Sequence, residues 1–485
     1  MSIVAAFAVP HPPLIIPAVG HGREREIQAT IDAYREVGRR IAGLSPQTIV
    51  ISSPHATMYL DYIHVSPGSE ATGSFTQFGA PDARFRVAYD TAFVHRLDAE
   101  ARLRGLSAGT AGERDPSLDH ATMVPLHFIR QAYREAGRTP DFQVVRIGLS
   151  GLSPAEHYRM GMLVQHVADE LDRRVVYVAS GDLSHKLTAD GPYGYAAEGP
   201  QFDRKVCASF SSGDLLPLLT MDRGFAERAA ECGLRSFQIM AGALDRRRIA
   251  SELLSYEGPF GVGYGVAAFV PLVGTDGAPM TDPARDLLSA YEAWHARDMA
   301  DRRAAEDPLV SLARVALETY VREGRAIDPR DELAAGRLPK GLPDELLGTR
   351  AGCFVSLKKD GELRGCIGTT EPVRGCLADE ICGNAVSAGT RDPRFSPVTA
   401  SELPELVYDV DVLSEPERVE TVDELDARRY GVIVWTTDGR RGLLLPDLDG
   451  VDSVDEQVRI AARKGGIDLR GDDWHLQRFE VVRHT

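Results

Sequence analysis

The stretch Val175-Val-Tyr-Val-Ala-Ser-Gly-Asp-Leu-Ser-His185 contains a strand and a turn in direct succession. Its first five residues form a short β-branched and apolar run typical of a buried strand, and Ser180-Gly181-Asp182 has the composition of a turn. His185 is thereby placed just past the carboxyl end of the strand. Open α/β sheets bind their ligands at that end, so the stretch predicts both a fold class and the edge that carries a site.

Two further apolar runs also end close to a histidine. Ile3 to Val9 is followed by Pro10-His11, and Thr48 to Ser52 is followed by Ser53-Pro54-His55. The neighbouring prolines restrict the backbone around each imidazole. Histidine is the commonest metal ligand and the usual general acid or base near neutral pH. Three such histidines at one predicted sheet edge indicate a metal-centred active site.

The length of 485 residues predicts two or three domains. Residues 1–273 alternate strand-like runs with amphipathic segments, which indicates an α/β domain with a largely parallel central sheet. The amphipathic segments are predicted as helices at Glu24–Ala42, Leu163–Asp172 and Arg235–Ala250, and Gly261–Val273 is predicted as a final buried strand. Ten of the 13 histidines precede residue 190, so the histidine chemistry belongs to this domain.

Residues 274–305 are predicted as a linker, in which a turn cluster precedes a charged helical stretch, and residues 306–485 as a second domain. Asp307-Pro308 is a plausible N-cap and first-turn pair for a helix beginning near Leu309. Further on, Phe354 to Gly368 has the pattern of a β-hairpin with Asp360-Gly361 at its turn.

Composition excludes several classes of protein. A formal net charge of -16 argues against nucleic acid as a partner. No apolar stretch reaches the roughly 20 residues that span a bilayer, and no leader segment is recognisable, so we expect a cytoplasmic protein without a membrane partner. Six cysteines without a CxxC pair favour a reducing compartment.

Residues beyond the three strand-end histidines complete the candidate site. His120, in Ser117-Leu-Asp-His-Ala-Thr122, supplies a fourth imidazole. An acidic or thiolate ligand is available from Glu231 or Cys232, just before the predicted helix at Arg235. This set provides enough donors for both metal binding and proton transfer.

Four ordered segments resemble a known family. The segments are Val9-Pro-His-Pro-Pro13, Ser53-Pro-His55, Leu118-Asp-His120 and Ser180-Gly-Asp-Leu-Ser-His185. They resemble the class III extradiol ring-cleavage dioxygenases, the LigB-type catalytic subunit, and their Memo-like relatives. The resemblance covers nearly the whole first domain and implies an enzyme with a non-haem Fe(II) held by two histidines and one carboxylate.

By position, the resemblance implies that His11 and His55 are iron ligands and that Glu231 is the carboxylate ligand. It implies that His185 is the acid/base that takes a catechol proton, and that His120 contacts substrate or the bound oxygen species. Asp182 either orients the loop of His185 or caps backbone amides.

The third ligand stays open between two neighbours. Cys232-Gly233 also resembles the cysteine found in the pocket of Memo-like proteins. A thiolate is a softer ligand than a carboxylate and favours copper or zinc. A metallohydrolase is a third alternative, because the same residue types activate water.

In the second domain, Leu363-Arg-Gly-Cys-Ile-Gly368 resembles the hallmark hexapeptide of the AMMECR-type family. Further matches are Asn384–Pro397, Tyr408–Leu413 and Gly442–Pro446. The resemblance implies an α+β domain with an antiparallel sheet and no defined activity. Arg364, Gly365 and Cys366 are a candidate cleft, because glycine in a strand marks either a bulge or close approach by another group, and a nearby cation lowers the pKa of a thiol.

Two functional hypotheses follow. The first is a dioxygenase-like enzyme that acts with dioxygen on a small aromatic or peptide-derived substrate. The second is a non-catalytic metal-binding or redox module whose AMMECR-type domain docks partners. The resemblance also implies a radical S-adenosylmethionine protein of the same pathway as a partner, and a homo-oligomer is compatible with the sequence.

Overall fold

A computed structural model describes residues 3–275, 277–338, 344–448 and 450–485. The remaining positions, including the first two residues of the first predicted domain and Asp276 of the predicted linker, lie outside the described residues. The chain divides into two compact units, Met1–Ala296 and Arg297–Thr485. The division falls inside helix Leu287–Ala305, within the segment 274–305.

The strands of the first unit are numbered in chain order. They are β1 (Ile3–Val9), β2 (Thr48–Ser53), β3 (Ile63–His64), β4 (Glu70–Phe75), β5 (Ala80–Ala88), β6 (Ala108–Gly109), β7 (Gln143–Gly148), β8 (Val175–Ser180), β9 (Ile249–Glu257) and β10 (Tyr264–Pro271). The helices of this unit are α1 (Pro17–Gly20), α2 (Gln28–Leu44), α3 (Thr91–Leu103), α4 (His120–Glu135), α5 (Pro154–Glu170), α6 (Glu198–Ser212), α7 (Leu216–Leu219), α8 (Arg223–Ala229) and α9 (Leu234–Ala243). Helix α10 (Leu287–Ala305) contains the division between the units.

A six-stranded sheet in the order β7-β2-β8-β1-β10-β9 forms the centre of this unit. β7, β2, β8 and β1 are parallel, whereas β10 and β9 are antiparallel additions at one side. Alternate residues of β8 enter two different cores: Val175, Tyr177 and Ala179 pack with α5 and α9, and Val176 and Val178 pack with α2 and α4. Burial on both faces explains why the strands are continuous apolar runs. The predicted α/β class is confirmed.

Two helix predictions had wrong bounds. The segment predicted at Leu163–Asp172 is only the second half of α5, which begins at Pro154 behind the N-cap Ser153. The helix predicted at Arg235–Ala250 ends at Ala243, and strand β9 begins at Ile249. Arg246 between them has a φ of 54°, a left-handed conformation that does not continue a helix.

The second unit is α+β, as predicted. Its helices are α11 (Pro308–Glu323), α12 (Pro329–Ala334), α13 (Leu377–Thr390) and α14 (Val454–Lys464). Its strands are β11 (Cys353–Lys359), β12 (Glu362–Gly368), β13 (Leu406–Leu413), β14 (Glu417–Val419), β15 (Gly431–Thr436), β16 (Arg441–Leu444), β17 (Trp474–Phe479) and β18 (Val481–His484). The strands form two antiparallel sheets. The sheet β12-β11-β13-β18 packs on α11 and α13. The sheet β14-β17-β15-β16 packs on α14.

The helix start at Asp307 and the hairpin turn at Asp360-Gly361 form as the sequence predicts. The Asp307 side chain accepts a hydrogen bond from the Leu309 amide and caps α11, with Pro308 in its first turn. β11 and β12 form the predicted hairpin, and Asp360 and Gly361 both have positive φ, at 52° and 81°. Positive φ at both central residues is the requirement of a type I′ turn.

Candidate metal centre

Three parallel strands deliver residues to one edge of the central sheet. β8 lies between β2 and β1 and is in register with both, so that Val9 pairs with Ser180 and Ser52 pairs with Ala179. The segments that follow these strands carry His11, His55 and the turn from Gly181 to His185. The carboxyl ends of neighbouring parallel strands meet at one edge, which explains why residues so distant in sequence converge.

His120 reaches the same edge from a helix. It is the first residue of α4, whose N-cap Asp119 accepts from the Thr122 amide at 2.9 Å. The Asp119 carboxylate also accepts from the Ser53 hydroxyl at 2.6 Å. The cap of the helix is thereby tied to the loop that carries His55.

The three imidazoles lie in mutual contact. His11 Nε2 and His55 Nε2 are 3.2 Å apart, and the ring centroids of His55 and His120 are 4.2 Å apart. One nitrogen from each of the three rings lies within 4.8 Å of the other two. This spacing allows the three rings to share one metal ion.

Hydrogen bonds define which nitrogen of His11 is free. The Ser180 hydroxyl donates to the Ala121 carbonyl at 2.7 Å, so its oxygen accepts from His11 Nδ1, which is 3.1 Å away. A proton on Nδ1 leaves the lone pair of Nε2 available. Fixing the tautomer through the second ring nitrogen is the usual way in which proteins orient a metal-binding imidazole.

A carboxylate and a thiol complete the donor set. Asp182 is buried, its Oδ1 accepts from the His11 amide at 2.7 Å, and its Oδ2 is 3.8 Å from His11 Nε2. The Cys232 thiol sulfur is 3.6 Å from the same Nε2. Donor atoms of His11, Asp182 and Cys232 lie within 4.8 Å of one another. The sequence pattern indicated Asp182 only as a residue that orients the His185 loop or caps backbone amides, and its position beside His11 is decided by the fold.

Glu231, which the resemblance implies as the carboxylate ligand, is in neither of the donor groups that contain His11, among the described residues. Its Oε2 accepts from the Leu234 amide at 2.6 Å, at the N-terminus of α9. Adjacent side chains on an irregular segment point in different directions, and here the amide-rich helix end holds the carboxylate. Cys232 takes the position beside His11 instead.

Burial controls the charge of the site. It lowers the pKa of His11, an effect reinforced by the neighbouring His55, His120 and His185. It lowers the pKa of His120 and of His185 to about 4. The pKa of Asp182 is raised by burial to about 7. The imidazoles are therefore unprotonated at neutral pH, as metal coordination requires.

His185 lies beside this donor set. Its Nε2 is 3.9 Å from Asp182 Oδ2, and its ring stacks on Tyr193 with centroids 5.1 Å apart. It is not in the group formed by His11, His55 and His120, among the residues that the structure describes. The arrangement leaves its lone pair available to accept a proton near the candidate metal position.

A cavity of about 1460 Å³ opens beside His55 and His120. Four arginines line it: Arg84, Arg86, Arg130 and Arg146. Sequence reasoning missed this feature, although the alternation Arg84-Phe85-Arg86 in a strand was a local signal that two cations share one face.

The proposed second-domain cleft is closed at Gly365. A Cβ there would lie 2.2 Å from the Ala388 carbonyl oxygen of α13, so the glycine serves helix packing. Arg364 pairs with Glu402 at 2.8 Å. The Cys366 amide donates to the Asp392 carboxylate at 2.9 Å. The Cys366 sulfur accepts from the Ser356 hydroxyl at 3.3 Å. The hexapeptide thus anchors β12 to its surroundings, and the bulge lies at Arg364.

Replacing Gly365 by alanine is expected to destabilise the second unit by about 3 kcal/mol, because the helix backbone must move to admit the methyl group. Urea unfolding is monitored by tryptophan fluorescence, because two of the three tryptophans, Trp435 and Trp474, lie in this unit. Gly348→Ala is the matched control, because a Cβ there would meet no atom nearer than 3.7 Å. Equal unfolding midpoints for the two variants would contradict the packing role.

The fold and the donor set define an α/β domain with a candidate metal centre, followed by an α+β domain. Residues 5–267 match the family model described as the catalytic LigB subunit of aromatic ring-opening dioxygenase, and residues 310–485 match the AMMECR1 model. The chain belongs to the LigB family through its first domain and carries an AMMECR1 domain as its second.

Similar proteins match different shares of this chain. A protein of Clostridium acetobutylicum is 39% identical over 492 aligned residues, covering 100% of this chain and 99% of its own. A Thermotoga maritima protein is 49% identical over 183 residues, 37% of this chain and 98% of its own. An uncharacterised Escherichia coli K12 protein of solved structure aligns with 17% identity and a TM-score of 0.36, covering 55% of this chain and 99% of its own. Within the described part of the chain, no helix is long and apolar enough to cross a membrane.

Proposed function

We propose that the first domain is an Fe(II)-dependent extradiol dioxygenase-type enzyme that opens the ring of a catechol-type aromatic substrate. The observation that carries the proposal is the convergence of His11, His55 and His120 within 4.8 Å of one another, at the carboxyl edge of a parallel sheet. Membership of the LigB family supports the same reaction class.

The residues present fit a divalent transition metal. Two imidazoles and one carboxylate are the ligand set of non-haem Fe(II) oxygenases. His11 and His55 would supply the imidazoles. The candidate carboxylate is Asp182, whose donor atom lies within 4.8 Å of one on His11 but forms no such group with His55 among the described residues. When bound, Fe(II) would provide open positions for the diol and for dioxygen. The buried position of Asp182 and its bond to the His11 amide keep the carboxylate in a single orientation.

Proton transfer is assigned to His185. Its pKa of about 4 leaves the ring unprotonated at neutral pH, so it can accept a proton from a substrate hydroxyl. Asp182 Oδ2, at 3.9 Å, would stabilise the imidazolium that forms. His120, which faces both the cavity and His55, is placed to contact the substrate.

The test is metal content by mass spectrometry on protein purified without oxygen, followed by oxygen uptake with a panel of catechols after Fe(II) loading. About one iron per chain with catechol-dependent uptake would support the proposal. Iron binding with no uptake for any diol would refute ring opening while leaving the metal centre in place.

A second candidate function is favoured by Cys232. Its sulfur lies 3.6 Å from His11 Nε2, whereas Glu231 faces a helix terminus. A thiolate donor favours copper or zinc and would suit a non-catalytic metal-binding or redox module. In that case the AMMECR1 domain would dock a partner, such as a radical S-adenosylmethionine protein of the same pathway.

The variants Cys232→Ser and Glu231→Gln test which of these two neighbouring residues is a metal ligand. If the thiolate is a ligand, Cys232→Ser should lower copper or zinc affinity by more than about tenfold, because a thiolate is lost from the donor set. Glu231→Gln should leave metal content unchanged, since a glutamine oxygen can still accept from Leu234. Competitive titration against a chelator gives both affinities.

Cys207→Ser is the control for a cysteine outside the donor set. Loss of metal from the Glu231 variant would reinstate Glu231 as a ligand. Unchanged affinity in the Cys232 variant would leave Asp182 as the third donor and strengthen the iron assignment.

A further inference from the structure

The cavity beside the metal centre has an unusual charge for this chain. The protein carries a formal net charge of -16, yet the cavity is lined by four arginines and only two acidic residues, Asp115 and Asp119. Its volume of about 1460 Å³ exceeds the roughly 300 to 1,000 Å³ typical of small-molecule sites. A lone catechol would leave most of it unfilled.

Two of the four arginines are neutralised by the protein. Arg86 pairs with Glu70 at 2.6 Å. The buried Arg146 lies 3.5 Å from Glu113 and 3.6 Å from Asp119. These two side chains have a structural role in the cavity wall.

Arg84 and Arg130 are different. Among the residues that the structure describes, neither forms a salt bridge with a carboxylate. Arg84 donates to the Pro81 carbonyl at 3.1 Å. Arg130 donates to the Arg86 carbonyl and lies over the Phe85 ring at 5.4 Å from its centroid. Both cations are held in place by neutral groups, with no anion to compensate them.

Arg130 carries a desolvation cost. It is half-buried, and burial together with the nearby Arg134 lowers its pKa. A partly buried cation without an anionic partner is unfavourable. An anionic ligand group in the cavity would relieve this cost.

The backbone separation of His120 and Arg130 along α4 gives a scale for the length of the cavity. His120 is the first residue of α4 and Arg130 is ten residues further along the same helix. A rise of 1.5 Å per residue separates their backbones by about 15 Å along the helix axis. Arg84 extends from β5 on the face that it shares with Arg86, opposite Ser74 of β4. This backbone separation and the large cavity volume together favour a ligand longer than a single ring.

We propose that this cavity binds an elongated small-molecule anion whose phosphate or carboxylate group pairs with Arg84 and Arg130 while its other end reaches the histidines. The assignment of the diol to the histidine end rests on the proposed function. The anion subsite itself rests only on the two arginines and the cavity, so the two ideas can fail separately.

The first experiment measures binding of probes that lack a diol, by calorimetry on the full chain. The probes are 4-phenylbutyrate with its neutral amide, and 3-phenylpropyl phosphate with 3-phenylpropanol. We expect each anion to bind at least about tenfold more tightly than its neutral partner, as charge-assisted hydrogen bonds imply. The carboxylate and phosphate arms identify which group the arginines prefer.

Arg130→Met and, independently, Arg84→Met should remove this preference. Arg102→Met on α3 is the control, because Arg102 is exposed, pairs with Asp98 and does not line the cavity. Arg84 lies on an exposed strand position, so its variant keeps the test valid if the Arg130 variant fails to fold. Equal binding of anions and neutral probes, or an unchanged preference in both variants, would overturn the proposal.

A second experiment measures reach. N-acetyl-Dopa-(Gly)n peptides with a free carboxylate are compared with their amides under anaerobic conditions, each glycine adding at most about 3.5 Å. The carboxylate preference should be greatest at about three or four glycines, and a maximum without glycine would overturn the elongated ligand. Hexaglutamate is tested in the same assay as a model of an acidic peptide. Binding of hexaglutamate with no binding of the small anions would indicate a peptide ligand and would also overturn the proposal. Anion binding without oxygen uptake would refute only the dioxygenase assignment.

Discussion

Replacing His55 by alanine is expected to remove metal from the purified protein. His55 Nε2 lies 3.2 Å from His11 Nε2, and its ring is in contact with His120, so the variant loses one donor from the centre of the group. Mutation of a residue that only hydrogen-bonds a metal ligand already lowers metal affinity roughly 10- to 100-fold. Loss of a ligand itself should lower metal affinity further. Mass spectrometry of protein purified without oxygen measures the residual metal.

His95→Ala is the appropriate control, because His95 is an exposed residue of α3 away from the group. His11→Ala should behave like His55→Ala, with an additional loss of stability because His11 is buried. Full metal content in the folded His55 variant would show that the ion binds elsewhere, for example through His11, Asp182 and Cys232 alone.

Replacing His185 by alanine should have the opposite profile, with metal retained and turnover lost. The side chain lies 3.9 Å from Asp182 but outside the group of three imidazoles. General acid–base catalysis contributes about 10²- to 10⁴-fold to rates, so we expect oxygen uptake with the best diol substrate to fall by that factor. Uptake and metal content are measured on the same Fe(II)-loaded sample.

Two outcomes would change the role of His185. A metal-free His185→Ala protein would make this residue a ligand, and unchanged turnover would exclude it as the acid/base. His95→Ala is again the control, because His95 is exposed on α3 and belongs to none of the candidate metal groups of the described residues. The two histidine variants together separate metal holding from proton transfer.

Local sequence patterns predicted the framework of both domains. The apolar runs at Ile3–Val9 and Val175–Ala179 form central strands, the Asp360-Gly361 pair forms the hairpin turn, and Asp307 caps α11. These features depend on residues within a few positions of one another. The gathering of His11 and His55 was also predictable, since the ends of parallel strands share one edge of a sheet.

The sequence by itself therefore determined the fold class, the family and the set of strand-end histidines. Only the tertiary structure decided that Asp182 accepts from the His11 amide across 171 residues. It likewise decided that the Glu231 carboxylate accepts from the Leu234 amide while the Cys232 sulfur lies beside His11. It also decided that Gly365 packs on α13 and that Arg84 and Arg130 share a cavity. The physical reason is that side-chain direction on irregular segments, and pairing between distant charges, are set by packing and desolvation in the folded chain.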